Sequence, residues 1–468
     1  MAGILPKGTP KPQALPSLIQ LNKVMIESSG GYAVDISSGT PSIIKMIKIY
    51  EGLFKPTLSG SITVNDGQAI TELIPLRGAE RIWIEFQAPR SDIKVALPFR
   101  IIDINERTPS LDSMSSMTYT IEFISEERMM SAYSRISTPY SGSVDAIIKK
   151  IYNDHMKTGK RKDEADGFNE TLGIIKYIPP SIYPIDAIKR LCQYAGSDIH
   201  KSGLYVFYET LYGFRFECIH DMFQKQPIST YTYDIKNLAK QSIEKEMLMI
   251  EGFKIENSFP NQYNALREGM YASSLYTHDI YNKSISSSTY DYIKEFDEVT
   301  HTPNGFPLIT LSGTGHKTSL STKLNKIQYM HKASRSDINT ISTHNQQYTE
   351  TLESDQVIHF DSAASTAKDF ALHRNSEIKQ LESFRISVTV PGVTNLTIGN
   401  MVNLNLHSFR KEQPRNPILS GRYLISECIH NFNHDIYKTD LTLVKDASNV
   451  PFAGLDGIAG GSEGEFGF

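Results

Sequence analysis

The sequence predicts a mainly β fold of the α+β class, and three observations carry that expectation. Runs of alternating apolar and polar residues, the period of a half-buried strand, dominate both ends of the chain. Helical periodicity is confined to its middle and to one stretch before the last strands. The first and last β regions can also be laid over one another at an offset of about 320 residues, so the two ends read as copies of one unit. With 468 residues, 40% of them apolar and 21% charged, the chain has room for about three domains with real cores.

In chain order, Pro6, Pro10, Pro12 and Pro16 with Lys7 and Lys11 mark residues 1–20 as an extended arm. Residues 21–130 form the first β domain. Its clearest strand is Arg81 to Gln87, with Ile82, Ile84 and Phe86 on one face. Further strands are expected at Ser61 to Val64, closed by the turn Asn65-Asp66-Gly67, at Leu97 to Ile104 and at Thr118 to Phe123.

Residues 131–243 read as a small α+β domain. Ser143 is placed to cap a helix carrying Val144, Ile147, Ile148 and Ile151. Pro184 opens a second helix with Ile185, Ile188, Leu191, Cys192 and Ala195 on its apolar face and Gly196 placed to end it. A hairpin follows, Leu204 to Glu209 and Phe214 to Cys218.

Residues 244–360 are rich in Ser, Thr and Tyr, with short alternating stretches such as Leu308 to Leu311, and read as a β-rich domain that partly completes the second copy. The second β domain spans 361–447. It opens with a helix capped by Asp361 or Ser362 and running through Ala367, Phe370, Ala371, Arg374 and Ile378. Strands follow at Phe384 to Val390, Met401 to Leu406, Arg422 to Phe432 and Ile436 to Val444. Residues 448–468 form a flexible, Gly-rich acidic tail punctuated by Leu455, Ile458, Phe466 and Phe468. Four spaced apolar anchors exceed what a spacer needs, so these residues are the candidate partner-binding positions, ordering on a neighbour.

Composition excludes several classes of function. Lys plus Arg total 48 against 52 for Asp plus Glu, and a formal charge of −4 gives no field to hold a polyanion. Cys192, Cys218 and Cys428 are too few for a disulfide framework or a four-cysteine zinc site. No run approaches the roughly 18 apolar residues of a membrane span, and the proline-rich start is unlike a signal peptide.

Ser312-Gly313-Thr314-Gly315-His316-Lys317-Thr318 departs from a phosphate-binding loop, because His316 separates Gly315 from Lys317 and Leu311 stands where the first glycine belongs. His430 and His434 have the spacing of a helical metal pair but flank a strand and turn, and read as exposed turn histidines. No nucleophile elbow occurs. The expectation is therefore of a protein with no catalytic residues, no cofactor and no metal. A second reading, a carbohydrate-active enzyme or sugar-binding β protein, cytoplasmic or tail-associated, is motivated by 24 tyrosines and by carboxylates whose pairing the sequence does not fix.

Several motifs, in their order, resemble a known family. They are Leu58-Ser59-Gly60-Ser61-Ile62-Thr63-Val64-Asn65-Asp66 with Ile74-Pro75-Leu76-Arg77-Gly78-Ala79-Glu80, then Val390-Pro391-Gly392 with Leu396-Thr397-Ile398-Gly399-Asn400-Met401-Val402, and lastly Ser420-Gly421-Arg422-Tyr423-Leu424-Ile425 with Leu443-Val444-Lys445-Asp446. They resemble the baseplate hub proteins of contractile-tailed bacteriophages, relatives of the N-terminal part of type VI secretion spike proteins. The resemblance implies two tube-type antiparallel β-barrel domains per chain with small α+β domains inserted between them. It also implies a homotrimer presenting six quasi-equivalent barrels around a DNA channel. Its implied partners are the tail tube protein, the central spike protein and other baseplate proteins, with DNA passing through unbound. Its implied place is the virion tail baseplate, assembled in the host cytoplasm.

Overall fold

The computed structural model describes residues 20–28, 30–37, 43–73, 76, 78, 80–87, 94–109, 116–159, 167–197, 199–200, 202–233, 243–279, 283–302, 305–308, 326–330, 350–351, 357–358, 363–408, 415–433 and 436–450. Among them the chain is mostly β, with large antiparallel sheets.

The first β region contributes β1 (Gln20–Glu27), β2 (Ala33–Asp35), β3 (Ile44–Gly52), β4 (Ser59–Asp66), β5 (Arg81–Gln87), β6 (Lys94–Pro109) and β7 (Met117–Ser125), with a one-turn helix α1 (Ile70–Leu73) after β4. Ile62 and Val64, Ile82, Ile84 and Phe86, Phe99 and Ile101, and Tyr119, Ile121 and Phe123 point to one side and form a buried core. The alternate residues, among them Ser61, Thr63, Thr120 and Glu122, stay part-exposed on the other face. Each fully buried Ile or Phe contributes about 1.5–3 kcal/mol, so this alternation fixes which face each strand presents.

Helix α2 (Glu126–Ala132) leads into a compact insertion of β8 (Tyr140–Gly142), α3 (Val144–His155), β9 (Gly167–Phe168), β10 (Ile175–Tyr177), α4 (Pro184–Leu191), the hairpin β11 (Tyr205–Thr210) and β12 (Gly213–Cys218), and α5 (Ile219–Gln224). The expected apolar stripe of α3 is buried at Val144, Ile147, Ile148 and Ile151. Ser143 sits at its N-cap but makes no side-chain cap bond. Pro184 occupies the first turn of α4 as expected, yet the helix stops at Leu191, before Gly196. Tight turns from Gln193 N–H to the Arg190 carbonyl and from Tyr194 N–H to the Leu191 carbonyl end it there. Strand β11 is buried on both faces, one against α3 and α4 and the other against the second β region.

Next come β13 (Thr230–Tyr233), α6 (Ile243–Glu246), β14 (Gly252–Asn257), α7 (Gln262–Arg267) and a hairpin of β15 (Ala272–Asp279) and β16 (Ser284–Asp291). This hairpin lies in the Ser/Thr/Tyr-rich region, where alternation along the chain is short and broken. It continues to α8 (Tyr292–Glu295), and β17 (Lys326–Met330) pairs in parallel with β15. The short strands β18 (Glu350–Thr351) and β19 (Val357–Ile358) pair with each other. Ile309 to Leu311 and the stretch Ser312 to Thr318 lie outside the described residues. Helix α9 (Ala363–Leu381) runs along the predicted stretch, and its expected cap at Asp361 or Ser362 lies outside the described residues.

The last strands are β20 (Phe384–Pro391), β21 (Met401–Leu406), β22 (Gly421–Asn433) and β23 (Ile436–Lys445). Their order in the sheet is β20-β23-β22-β21, and the first region has the same order, β4-β7-β6-β5, with every pair antiparallel. A β-bulge recurs at the same place in both: the register shifts between Ile101 and Asp103 opposite Phe123 and Glu122, and between Ile425 and Glu427 opposite Leu443 and Thr442. Bulges re-aim a strand at one defined residue, so a shared bulge is stronger evidence of duplication than shared strand order. Each quartet also has an antiparallel strand against its first member, β3 on β4 and β14 on β20. The quartets join through β22 and β3 into one 13-stranded sheet.

Candidate functional site: the seam between the two β regions

The seam is the antiparallel pairing of β22 with β3, from Glu427 opposite Gly52 to Asn433 opposite Met46. Strand alternation puts Glu51 in phase with the buried Ile47 and Ile49, and puts Cys428 and His430 in phase with the buried Phe432. A carboxyl group is thereby carried into the core, where it must find hydrogen bonds. One Glu51 oxygen accepts the N–H of Leu211, at the tip of the β11–β12 hairpin, at 2.9 Å. The other accepts the N–H of Ile398, in the loop before β21, at 3.1 Å. His430 Nε2 lies 3.6 Å from Glu51 and 3.4 Å from the Cys428 sulfur, and its Nδ1 lies 2.8 Å from the Tyr437 hydroxyl. Glu51 thus ties two further segments to the seam.

A second carboxyl group works in the same way. Glu209, on β11, accepts the N–H of Leu58 at 2.8 Å and lies 3.1 Å from the Ser125 hydroxyl. The hairpin therefore clamps the start of β4 and the end of β7 while its tip holds Glu51. Directly after β7, Glu126 receives Arg81 at 2.8 Å and Arg100 at 2.7 Å. Burial alone would raise its carboxyl group, but the hydrogen bonds and charges of the two guanidinium groups outweigh that and hold it below the ordinary range.

Glu51, Cys428 and His430 place one carboxyl oxygen, one sulfur and one ring nitrogen within 4.8 Å of one another, and they are the group among the described residues whose donor set fits a metal ion. Both Glu51 oxygens and the outer histidine nitrogen already have partners, so the same contacts serve as a hydrogen-bonded clasp. Burial pushes the Cys192 thiol up to about 12 and also raises those of Cys218 and Cys428. Thiols held protonated in apolar surroundings are poor nucleophiles. The seam holds parts together.

The predicted tail positions Leu455, Ile458, Phe466 and Phe468 lie outside the described residues, as does His434. His430 corrects the sequence reading: it is a fully buried strand residue, not an exposed turn histidine, because β22 continues through it to Asn433. Glu51 is absent from the residues that sequence reasoning singles out, although a carboxyl group in phase with a strand's apolar face is the signal that marks it. Two motif glycines acquire a reason. A Cβ on Gly392 would run into the Tyr437 ring, and Gly399 has φ +76° with its α-carbon facing the Tyr208 hydroxyl.

No family model matches the chain. It is 22% identical over 442 residues, 90% of this chain and 94% of the other, to the probable baseplate hub protein gp334 of Vibrio phage KVP40. The tail protein from Neisseria meningitidis MC58 has a similar fold, with a TM-score of 0.52 and 12% identity, covering 91% of this chain and 96% of that one. The prophage MuSo2 43 kDa tail protein from Shewanella oneidensis aligns at a TM-score of 0.48 and 10% identity, over 92% of this chain and all of that one. Matched nearly end to end in sequence by a baseplate hub protein and in fold by a tail protein, the chain is a homologue of phage baseplate hub proteins, components of the virion tail baseplate.

Proposed function

We propose that the chain is the structural hub of a contractile phage tail, a homotrimeric adaptor between the six-fold tail tube and the three-fold central spike whose ring lines the channel for DNA ejection. The observation that carries this reading is the repeated quartet with its shared bulge, inside a chain related over 90% of its length to a probable hub protein. Two equivalent units per chain and three chains supply the six positions that a six-fold partner needs.

The work is geometric, and no catalytic step is assigned to it. Near-neutral charge suits a channel that DNA crosses without sticking, because a basic wall would bind phosphates. The part-exposed face of the second β region is polar and charge-paired: Arg385 meets Glu256 at 2.6 Å and Glu427 at 3.0 Å, and Lys438 meets Glu251 at 2.5 Å. Residues 21–130 and 361–447 serve as the two tube-type units, with 131–243 and 244–360 inserted between them. The tail anchors Leu455, Ile458, Phe466 and Phe468 dock on a neighbouring baseplate protein.

Light scattering with negative-stain imaging tests the reading, the expected result being a trimeric ring with a central hole. A monomer both alone and with the spike protein rejects it. Release of soluble fragments from peptidoglycan above buffer would favour the carbohydrate-active alternative instead.

A further inference from the structure

Strands β6 and β14 each leave an edge open among the described residues. Strand β6 pairs with β5 as far as Arg100 and with β7 through Pro109, so Asp103–Pro109 has a partner on one side alone. Strand β14 ends the sheet, with its outer edge unpaired and Lys254 to Asn257 exposed. An open edge presents a row of backbone donors and acceptors and is a template for another strand.

The duplication identifies that strand. In the second quartet, the edge equivalent to that of β6 belongs to β22, and β3 covers it. β3 and β14 are themselves equivalent, each lying antiparallel against the first strand of its quartet. The first quartet therefore lacks on β6 what the second has on β22, and the missing strand is of the kind that β14 offers. Within one chain β14 is at the far end of the sheet, so a second copy must supply it.

We propose that Asp103–Pro109 of one copy pairs antiparallel with Gly252–Asn257 of the next. This deepens the oligomeric hub reading and rests on it. The register follows from the seam. Lys48 and Lys254 each face a serine of the first strand, Ser61 and Ser387. Asn431 faces Lys438, and Thr108 faces Thr118, the equivalent position of the last strand. Asn431 is opposite Lys48 in the seam, so Thr108 is opposite Lys254 between copies. Each edge carries one register shift, between Asn105 and Thr108 and between Ile255 and Asn257. The seam strands also carry such irregularities against their other neighbours, between Ile44 and Met46 and between Ile425 and Glu427, at the limits of the stretch they pair across the seam. Such a contact joins two different edges, is head-to-tail, and propagates around a ring.

Directly opposed residues lie within disulfide reach, and the native cysteines of the chain are buried. The test is oxidation of the full-length double variant Thr108→Cys/Lys254→Cys, read on a non-reducing gel beside light scattering of the unmodified protein. Lys48→Cys/Asn431→Cys serves as a positive control that closes within one chain. The expected result is reductant-sensitive covalent species up to the trimer, with none from either single variant. A trimer by light scattering whose double variant does not cross-link, while the control does, overturns the edge pairing and leaves the hub reading standing. A monomer both alone and with the spike protein overturns both.

Discussion

The two quartets share strand order and bulge, yet they differ in what covers them. In β22 the stretch after the bulge is sheathed by β3, and Cys428, His430 and Phe432 are buried there. In β6 the stretch after the bulge is largely exposed, with Asp103, Glu106, Arg107 and Thr108 at the surface. Topology is thus common property, while side-chain character follows the neighbour. A buried carboxyl clasp lies where the chain supplies its own covering strand, and charged residues stand where it does not.

The largest effect expected from breaking this contrast is at Glu51. Truncation by Glu51→Ala leaves the N–H groups of Leu211 and Ile398 without acceptors and removes the neighbour of His430. The expected loss is about 3–5 kcal/mol, as for breaking a buried charged contact. Ser258 holds the equivalent place after β14, and Ser258→Ala is expected to change stability by less than about 0.5 kcal/mol. Denaturant unfolding of both variants checks this, and equal losses would show that the seam is no special junction.

Glycine gives the next contrast. Gly392→Ala drives a methyl group into the Tyr437 ring and is expected to cost about 1–3 kcal/mol. Gly67, in the turn after β4 as Gly392 follows β20, would place its methyl 4.0 Å from Ser116 and should tolerate alanine. Similar melting temperatures for the two variants would contradict this packing.

How legible these features are depends on which strand carries them. The bounds of β20 and β21 follow almost to the residue from unbroken alternation at Phe384, Ile386, Val388 and Val390 and at Met401 to Leu406. Strands β3 and β14, which make the seam and one open edge, do not stand out along the chain. In β3 the register shift between Ile44 and Met46 breaks the period of Ile44, Ile47 and Ile49. In β14 little is buried, so there is no apolar stripe to read. Where α4 ends early, in the tight turns after Leu191, Arg374 on α9 donates to the Cys192 carbonyl at 3.1 Å, a tertiary contact that the local sequence does not announce.

Acid and base should act on the two regions differently. Beside the second quartet, His301 meets Asp446 at 2.6 Å, His220 meets Glu377 at 3.2 Å and His373 meets Glu295 at 3.1 Å. Burial would lower each histidine, but the carboxylates outweigh it and raise all three above 6.5, while Glu377 and Asp446 are held below 4.5 and 3.8. The histidine contribution is full below 6.5 and is lost as pH rises through the raised values. The carboxylate contribution is lost on acidification. Glu126 of the first quartet pairs with arginines, so its contribution is lost on acidification alone. From about pH 6 to about pH 9, amide protection, corrected for intrinsic exchange, should fall around residues 292–302 and 372–380 and hold in β5 to β7. Parallel loss in both regions would refute the assignment.

The smallest contrast lies at the end of each last strand, where the second quartet has Lys445 and the first has Ser125. Ser125 is neutral, with its hydroxyl 2.6 Å from Glu127. Lys445 is fully buried, donates to the Ile418 carbonyl and has its ammonium 4.7 Å from the centre of the Phe384 ring and 4.9 Å from that of Tyr423. Burial depresses it to about 7 in spite of the neighbouring Asp446. Its folded value lies below the ordinary 10.5, so the unfolded chain binds the extra proton between the two, and stability rises with pH across that interval. Below about 7 the folded protein carries a charge that it solvates poorly. Lys445→Met keeps the length and removes the charge. It should flatten the stability curve from about pH 7 to 10.5 and raise stability at pH 6 by roughly 1 kcal/mol, since replacing a buried charge by an apolar side chain is often neutral or favourable. The difference between the wild-type and variant curves isolates this lysine from the histidines. A variant less stable at pH 6 would mean that the ring contacts and the Ile418 bond outweigh the cost of burying the ammonium, and that the lysine strengthens the second quartet where the first relies on a hydroxyl.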